Sequence, residues 1–266
     1  MDVDYERAAH DLIENGYAFV PIDTVLVNNG MGATRKLLGT ISDNKRWTLT
    51  RDGEHEADVG HITKRYTEGY DEKTYFHFAL DLPLLLDNAG VRESAQQKAC
   101  LQIVEQLHMG LRSIALNIVT ALQAPEHKLL CLATDGLMRN TFRLNEPYNT
   151  SVLRYLEYPD VNHQTGAREH YDKSLLSIHL GDKGGELYAL DRSDEWVAIS
   201  PPPGMAVVFF GVKILYATKG KLLPLKHKST TVPGRMRTAM VMFTHADVGH
   251  QVIDSQKSYD DFYRNR

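Results

Sequence analysis

Three side chains with metal-binding chemistry, His170, Asp172 and His227, stand out in this sequence. One residue separates His170 from Asp172, so both side chains would point to the same face of an extended segment. His227 must then come from a distant strand that the fold brings alongside. Two imidazoles and one carboxylate on one face bind a non-haem Fe(II) ion and leave coordination positions open. Arg237, ten residues after His227, carries a planar guanidinium that suits bidentate recognition of a carboxylate-bearing co-substrate.

Histidine is frequent in this chain, which has 12 of them, so a His-x-Asp pair alone is weak support for a metal site. His179, for example, lies within SLLSIHLGD and is expected to be an ordinary strand residue, in the core or on the surface. The pair at 170–172 therefore predicts a metal site only together with the elements and motifs around it.

The composition is that of an ordinary soluble protein, with 42% hydrophobic residues, 24% charged residues and a net charge of -4. This balance gives no electrostatic reason to expect binding to nucleic acid or to an acidic membrane. No apolar run reaches the roughly 18 residues that a membrane span requires, and the acidic N-terminus is unlike a secretory signal. Cys100 and Cys131 lie in apolar segments, which favours buried thiols over a disulfide. We therefore expect a cytoplasmic protein with a small-molecule substrate, and the oligomeric state stays open.

The first half of the chain is predicted to be mainly helical. Residues 3–15 have helical apolar spacing and end at a Gly, and residues 17–21 read as a strand. Residues 41–75 are polar and punctuated by Gly, so loops and short turns are expected there. A long helix is predicted for residues 91–123. Its core-facing candidates recur at steps of three and four: Cys100, Ile103, Val104, Leu107, Leu111, Ile114, Ala115, Ile118 and Leu122.

The sequence pattern indicates β structure between about 150 and 245. Short runs rich in β-branched and aromatic residues alternate there with Gly, Pro and Asp, which predicts an antiparallel sandwich or barrel. The fold class expected is mainly β with α. One oxygenase domain would cover 1–266, with helical layers in 1–125 packed on a jelly-roll core, a double-stranded β-helix, in 150–245 that holds the metal site.

The motifs of this β region resemble those of the Fe(II)/2-oxoglutarate dioxygenases, in particular the isopenicillin-N-synthase-like branch. The chain has HYDKSLLS at 170–177, where that family has His-x-Asp and a strand, and then GGELY at 184–188. A Trp and a Pro-rich turn follow in EWVAISPPPG at 195–204. The segments TKGKLLPLKH at 218–227 and RTAMVMF at 237–243 then correspond to the family's distal His and its Arg strand. A weaker likeness covers ENGYAFVPID and GYDEKTYFHF in the first half of the chain.

The resemblance implies Fe(II) held by His170, Asp172 and His227, with 2-oxoglutarate and dioxygen as co-substrates. It implies that Arg237 binds the distal carboxylate of 2-oxoglutarate. Arg235, two residues earlier and so on the same face of a strand, is the competing candidate. Two further residues of one predicted strand are assigned less firmly: Tyr158 to the co-substrate carboxylate, and Arg154 to either ligand or structure.

The implied reaction is oxidative decarboxylation of 2-oxoglutarate to succinate and carbon dioxide, coupled to hydroxylation of the substrate. Desaturation or ring closure would need only a different substrate pose. Family analogy suggests a small amino-acid-like or natural-product substrate. Its contacts are expected in the segment 41–75, where Arg51, Lys64 and Arg65 are charged candidates, and in the C-terminal tail.

Some residues depart from the family pattern. Ala239 stands where the family has a Ser that contacts the co-substrate, Val212 replaces the Asp of a Gly-Asp turn, and Lys219 replaces an Asn. Asp172, by contrast, is retained, which argues against a halogenase. Two alternatives stay open: an Fe(II) oxidase of the isopenicillin N synthase type that uses no 2-oxoglutarate, and a jelly-roll binding protein without catalysis.

Overall fold

The computed structural model describes residues 3–41, 44–49, 59–64, 73–123, 151–160, 166–244, 252 and 254–264. The helices are α1 (Tyr5–Asn15), α2 (Thr24–Leu38), α3 (Leu82–Asn88), α4 (Ala95–Leu122), α5 (Lys213–Thr218) and α6 (Ser255–Arg264), with a 3-10 turn at Asn44–Trp47. The strands are β1 (Tyr17–Pro21), β2 (Thr48–Leu49), β3 (Val59–Lys64), β4 (Lys73–Phe78), β5 (Val152–Tyr158), β6 (Leu176–Lys183), β7 (Gly185–Leu190), β8 (Trp196–Ile199), β9 (Met205–Phe210), β10 (His227–Thr231) and β11 (Arg237–Thr244).

Two antiparallel sheets form a sandwich. The large sheet has the order β1-β9-β6-β11-β5-β4-β3-β2, and the small sheet has the order β10-β7-β8. Apolar residues of the small sheet, such as Leu187 and Ile199, pack against Val207 and Phe209 of the large one. The predicted mainly β fold with additional helices is confirmed.

The outer face of the large sheet is covered by helices. Helix α4 begins at a capping box, in which Ser94 and Gln97 satisfy each other's backbone N–H groups. Its buried stripe includes seven of the nine predicted core residues, while Ile103 and Ile114 are partly buried. Helix α2 packs closely on α4 at Gly30. A Cβ on this residue would lie only 2.4 Å from Leu107 Cδ2, so the close contact depends on a glycine.

The two faces of the large sheet carry different chemistry, since successive strand residues point to opposite sides. Tyr155 of β5, Ile178 of β6 and Met240 of β11 belong to the helix-covered core. Their neighbours in sequence therefore line the interior between the sheets. This inner face carries the predicted site residues Arg154, Tyr158 and Arg237, together with Ser177 and His179.

The expectation of loops for residues 41–75 is wrong where strands β2 and β3 and the start of β4 lie. These strands extend the large sheet beyond β5. Strand β2 has two residues and β3 contains a Gly, so neither shows the sustained apolar alternation that marks a strand in sequence. Arg51, Arg65 and Cys131 lie outside the described residues, and so does the side chain of Lys64.

Cys100 is buried with a free thiol. No helix within the described ranges is long and apolar enough to cross a bilayer.

Candidate metal centre

The two histidines of the predicted site are paired through their backbones. His170 N donates to His227 O at 2.9 Å and His227 N donates to His170 O at 3.0 Å, which makes an isolated antiparallel bridge. Directly opposed residues of such a bridge place their side chains on the same face. The imidazole centroids accordingly lie 4.4 Å apart.

The His-x-Asp spacing suggested that Asp172 lies on a strand. It lies instead in the loop that follows the bridge. The loop is fixed by backbone hydrogen bonds, in which Val212 N donates to Asp172 O at 2.7 Å and Gly211 N donates to Leu175 O at 3.0 Å. A Cβ on Gly211 would lie 2.2 Å from Ser174 O. Only Gly therefore allows the start of the β9–α5 turn to approach the Asp172 loop so closely.

The loop brings the carboxylate against both imidazoles. Asp172 Oδ1 lies 3.6 Å from His170 Nε2 and 3.7 Å from His227 Nε2. One ligand atom from each of the three residues lies within 4.8 Å of the others, which is a spacing that can hold one metal ion. All three predicted ligands are thus brought together.

Both imidazoles are held in the tautomer that a metal requires. The Nδ1 atom of His170 lies 2.7 Å from Arg168 O, and that of His227 lies 3.1 Å from Leu225 O. A carbonyl only accepts, so each Nδ1 carries the proton and each Nε2 lone pair is directed at Asp172. Metal-binding histidines are oriented in this way by the hydrogen bond of their other nitrogen, so the residues fit a metal ion.

The carboxylate is supported by two hydroxyl groups. Ser177 Oγ donates to Asp172 Oδ2 at 2.5 Å, and the Ser174 and Ser177 hydroxyls lie 2.8 Å apart. Neither Ser was singled out in the sequence, although Ser177 is predictable in retrospect as the first inward position of the strand that follows the motif. Its hydroxyl leaves Asp172 Oδ1 to face the two imidazoles.

Electrostatics favour the metal-binding protonation states of His227 and Asp172, whereas at His170 a metal ion would have to displace a proton. Burial lowers the pKa of His227 to about 4, so this ring is neutral near pH 7. Burial alone would raise the pKa of Asp172, but the two imidazoles and the Ser177 hydroxyl hold it well below its usual range. The His170 side chain is more exposed than those of His227 and Asp172. Burial opposes its charge, yet the hydrogen bond and charge of Asp172 leave its pKa raised.

Arg237 and Tyr158 face each other across neighbouring strands β11 and β5. The Arg237 side chain is buried at 2% exposure, and its Cζ lies 4.8 Å from the centroid of the Tyr158 ring. A Cβ on Gly185 would lie only 2.4 Å from Arg237 Cδ, so this Gly provides the space in which the side chain lies. The guanidinium is therefore held inside the sandwich.

Arg235, the competing candidate, does not share this face. It is exposed and lies in the turn before β11, where Arg235 N donates to Val232 O at 3.1 Å. The turn around Gly234, whose φ is 75°, breaks the strand alternation on which that expectation depended. Ala239 is fully buried on the same face as Arg237 and packs in an apolar cluster with Tyr158.

Arg154 lies at the centre of a group that we call the Arg154 cluster, formed with Tyr75, His77 and Phe243. Its Nε contacts His77 Nε2 at 2.5 Å, and its Cζ lies 5.3 Å from the Tyr75 ring centroid and 4.6 Å from that of Phe243. Phe243 pairs in register with Ser177, the hydroxyl partner of Asp172. The cluster is thus one strand away from the metal loop, and no pattern in the sequence joins its members.

Comparison with known proteins identifies the β region. Residues 141–246 match the sequence model of the 2OG-Fe(II) oxygenase superfamily, which confirms the superfamily predicted from the motifs. The 2-oxoglutarate-Fe(II) type oxidoreductase ppzC of Metarhizium majus is 32% identical over 85 residues, or 32% of this chain and 22% of that protein. Gibberellin 2-beta-dioxygenase 3 of Arabidopsis thaliana is 25% identical over 38% of this chain and 32% of its own length. The matched segments thus span only a fifth to a third of these relatives.

Solved structures share the fold over nearly the whole chain. A protein of Caulobacter crescentus described as a 2OG-Fe(II) oxygenase family member has a TM-score of 0.70 at 21% identity, over 99% of this chain and 95% of its own. The dioxygenase for auxin oxidation 1 of Arabidopsis thaliana, in complex with 2-oxoglutarate, has a TM-score of 0.70 at 17% identity, over 94% and 92%. The dioxygenase for auxin oxidation of rice has a TM-score of 0.62 at 17% identity, over 98% and 88%. The antiparallel sandwich is therefore the jelly roll of these proteins.

Proposed function

We propose that this protein, whose residues 141–246 match the sequence model of the 2OG-Fe(II) oxygenase superfamily, is an Fe(II)- and 2-oxoglutarate-dependent oxygenase of a small organic molecule. The observation that carries the proposal is the ligand set itself. Both Nε2 atoms of His170 and His227 are directed at one carboxylate oxygen of Asp172, with each Nδ1 proton held by a carbonyl.

His170, Asp172 and His227 would hold the iron through Nε2, Oδ1 and Nε2. Bound iron would supply the oxidising chemistry, with dioxygen as the oxidant: one oxygen atom would enter succinate as 2-oxoglutarate loses carbon dioxide, and the other would enter a substrate C–H bond. The contribution of the chain is to fix three ligands, to leave the remaining positions open and to exclude water from the interior. One anionic ligand from the protein leaves net positive charge for an anionic co-substrate.

Arg237 is the residue that we assign to the distal carboxylate of 2-oxoglutarate. A buried guanidinium is stabilised by an anion, and its planar donors match the two oxygens of a carboxylate. Tyr158 supports this assignment, since its ring packs against the guanidinium and limits its orientation. Arg235 is too exposed for the role and is not proposed for it.

We assign the Arg154 cluster to the substrate. Arg154 is half-buried on the inner face, and two aromatic rings pack on its guanidinium one strand away from the metal loop. Such a cation favours a substrate that carries a carboxylate, which agrees with the amino-acid-like class suggested by the sequence. Hydroxylation is the default outcome, and desaturation or ring closure would follow from a different pose of the same substrate.

We also propose that residues 1–266 act as one oxygenase domain. Helix α4 buries its apolar stripe on one face of the large sheet, and the other face of the same sheet carries Ser177 and Arg237. Removal of the helical layer would therefore expose the core that supports the site.

A 2-oxoglutarate-independent Fe(II) oxidase is the second candidate function, and Ala239 is the observation that favours it. The residue is fully buried and offers no hydroxyl to a co-substrate beside Arg237. Anaerobic titration with Fe(II) and then 2-oxoglutarate distinguishes the two functions. The oxygenase should develop a weak visible charge-transfer band that saturates with 2-oxoglutarate, whereas the oxidase should not respond to 2-oxoglutarate.

A further inference from the structure

The residue between two of the metal ligands is anchored by the C-terminal helix. Tyr171, only 9% exposed, stacks on Tyr259 of α6 with ring centroids 4.5 Å apart and an interplanar angle of 13°. Stacking of this kind stabilises an aromatic pair beyond the area that it buries. A single contact thus joins the end of the chain to the centre of the His-x-Asp motif.

Helix α6 is itself fixed on α5. Tyr216 Oη donates to Ser258 O at 2.9 Å, and the Tyr216 ring meets the Phe262 ring edge-on at 5.2 Å. An apolar cluster of α5, α6 and the metal loop encloses Tyr171. Its members are Tyr171, Val212, Leu215, Val252, Tyr216, Tyr259 and Phe262.

The same cluster also holds the carboxylate ligand. Val212, fully buried in it, donates its backbone N–H to Asp172 O at 2.7 Å. The residue before Asp172 and the carbonyl of Asp172 are therefore both fixed by groups that α6 covers. The imidazoles differ in this respect, because their spacing is set by the His170–His227 backbone bridge.

We infer that α6 is a brace for the metal loop and that Tyr259 is a positioning residue for Asp172. A carboxylate on a loop binds a metal well only when the loop is held in the binding geometry. Loss of a group that orients a ligand weakens metal binding by about 10–100-fold. Without the Tyr259 ring, Tyr171 loses the partner that fixes its plane, and Asp172 samples positions away from the two Nε2 atoms. This inference rests on the proposed metal centre and does not require any particular substrate.

The test is the affinity of the full chain for Fe(II) alone, measured by anaerobic calorimetry. Tyr259→Ala is expected to weaken Fe(II) binding by about tenfold, the effect typical of removing a group that orients a ligand. Tyr259→Phe keeps the ring and should remain within about twofold of the native affinity. Lys257→Ala is the control, because Lys257 lies on the same helix half a turn before Tyr259 and its side chain is exposed. It should bind Fe(II) like the native chain.

Folding is checked separately by the thermal unfolding midpoint and near-UV circular dichroism of the metal-free variants. If Tyr259→Ala does not fold, Tyr259→Leu keeps apolar burial, removes the flat ring, and should still bind Fe(II) more weakly than Tyr259→Phe. Native affinity in the folded Ala or Leu variant overturns the inference, and so does an equal loss in Lys257→Ala. If the native chain itself does not bind Fe(II), the proposed function fails as well, so the two failures are distinguishable.

Discussion

His170 and His227 exchange both backbone hydrogen bonds of an isolated β-bridge, and their imidazole rings lie on the same side of it. The spacing of the two nitrogen ligands is therefore set by the main chain. Substitution of one side chain should leave the position of the other unchanged. The metal centre can thus be altered one ligand at a time without loss of the fold.

His227→Ala should abolish the Fe(II)–2-oxoglutarate absorption band and retain the native circular dichroism spectrum. Loss of a group that only supports a ligand weakens metal binding by about 10–100-fold, so loss of a ligand should exceed about a hundredfold. His179→Ala is the control, since His179 is also buried on the inner face but its Nδ1 accepts from Gly181 N at 3.2 Å. A band that persists in His227→Ala would mean that another residue is the ligand.

Ser177→Ala should weaken Fe(II) binding by about tenfold, because Asp172 Oδ2 loses its hydroxyl donor. Ser174→Ala should have a smaller effect, since its hydroxyl contacts Ser177 and is one step further from the carboxylate. Calorimetric titration of the metal-free proteins measures both. Equal affinities in the Ser177 variant and the native chain would show that this hydrogen bond does not position the ligand.

Arg237→Gln should raise the Michaelis constant for 2-oxoglutarate by at least about tenfold, because a charged pair of hydrogen bonds is lost. Fe(II) affinity should not change. Arg235→Gln is the matched control, with the same residue type two positions earlier in an exposed turn, and should leave that constant unaltered. A raised Michaelis constant for 2-oxoglutarate in the Arg235 variant alone would refute the assignment of Arg237.

Gly185→Ala should weaken 2-oxoglutarate binding without direct contact with the co-substrate. The added Cβ would lie 2.2 Å from Thr230 O of β10, 2.4 Å from Arg237 Cδ and 2.7 Å from its Nε. Both the β10 backbone and the Arg237 side chain must then shift. Gly32→Ala is the control for the change of residue type, since its Cβ would meet no atom within 4 Å. Tighter or unchanged 2-oxoglutarate binding in Gly185→Ala would show that Arg237 need not occupy its observed position.

Arg154 should favour an acidic substrate over its neutral amide. With Fe(II) and 2-oxoglutarate bound under anaerobic conditions, phenylacetate is expected to bind at least about tenfold more tightly than phenylacetamide. Arg154→Gln should remove this preference and leave 2-oxoglutarate affinity intact. If acid and amide behave alike in the native protein, the cluster does not recognise a carboxylate. If 2-oxoglutarate affinity falls in the variant, Arg154 serves the co-substrate instead.

The fold class and the three candidate ligands that the fold brings together could be predicted from the sequence because both leave local patterns. His170 and Asp172 are adjacent to a β-rich segment in a fixed motif order, and α4 repeats apolar residues at helical spacing. The Arg154 cluster could not be predicted, because its members lie on three strands and the pairing of β4 with β5 follows from tertiary register. Arg235 was expected on a strand with Arg237 because the two residues are two positions apart. That spacing alone does not show that the chain turns at Gly234. The roles of Ser177, Gly185 and Tyr259 likewise depend on contacts between distant segments.

The central claim is tested most directly by succinate release. Native protein with Fe(II), 2-oxoglutarate and dioxygen should form succinate over successive turnovers, and more of it with a productive substrate. His227→Ala and Arg237→Gln should form little at the same concentrations. If native protein that binds Fe(II) releases no succinate with any substrate tried, 2-oxoglutarate is not its co-substrate and the proposed function is contradicted.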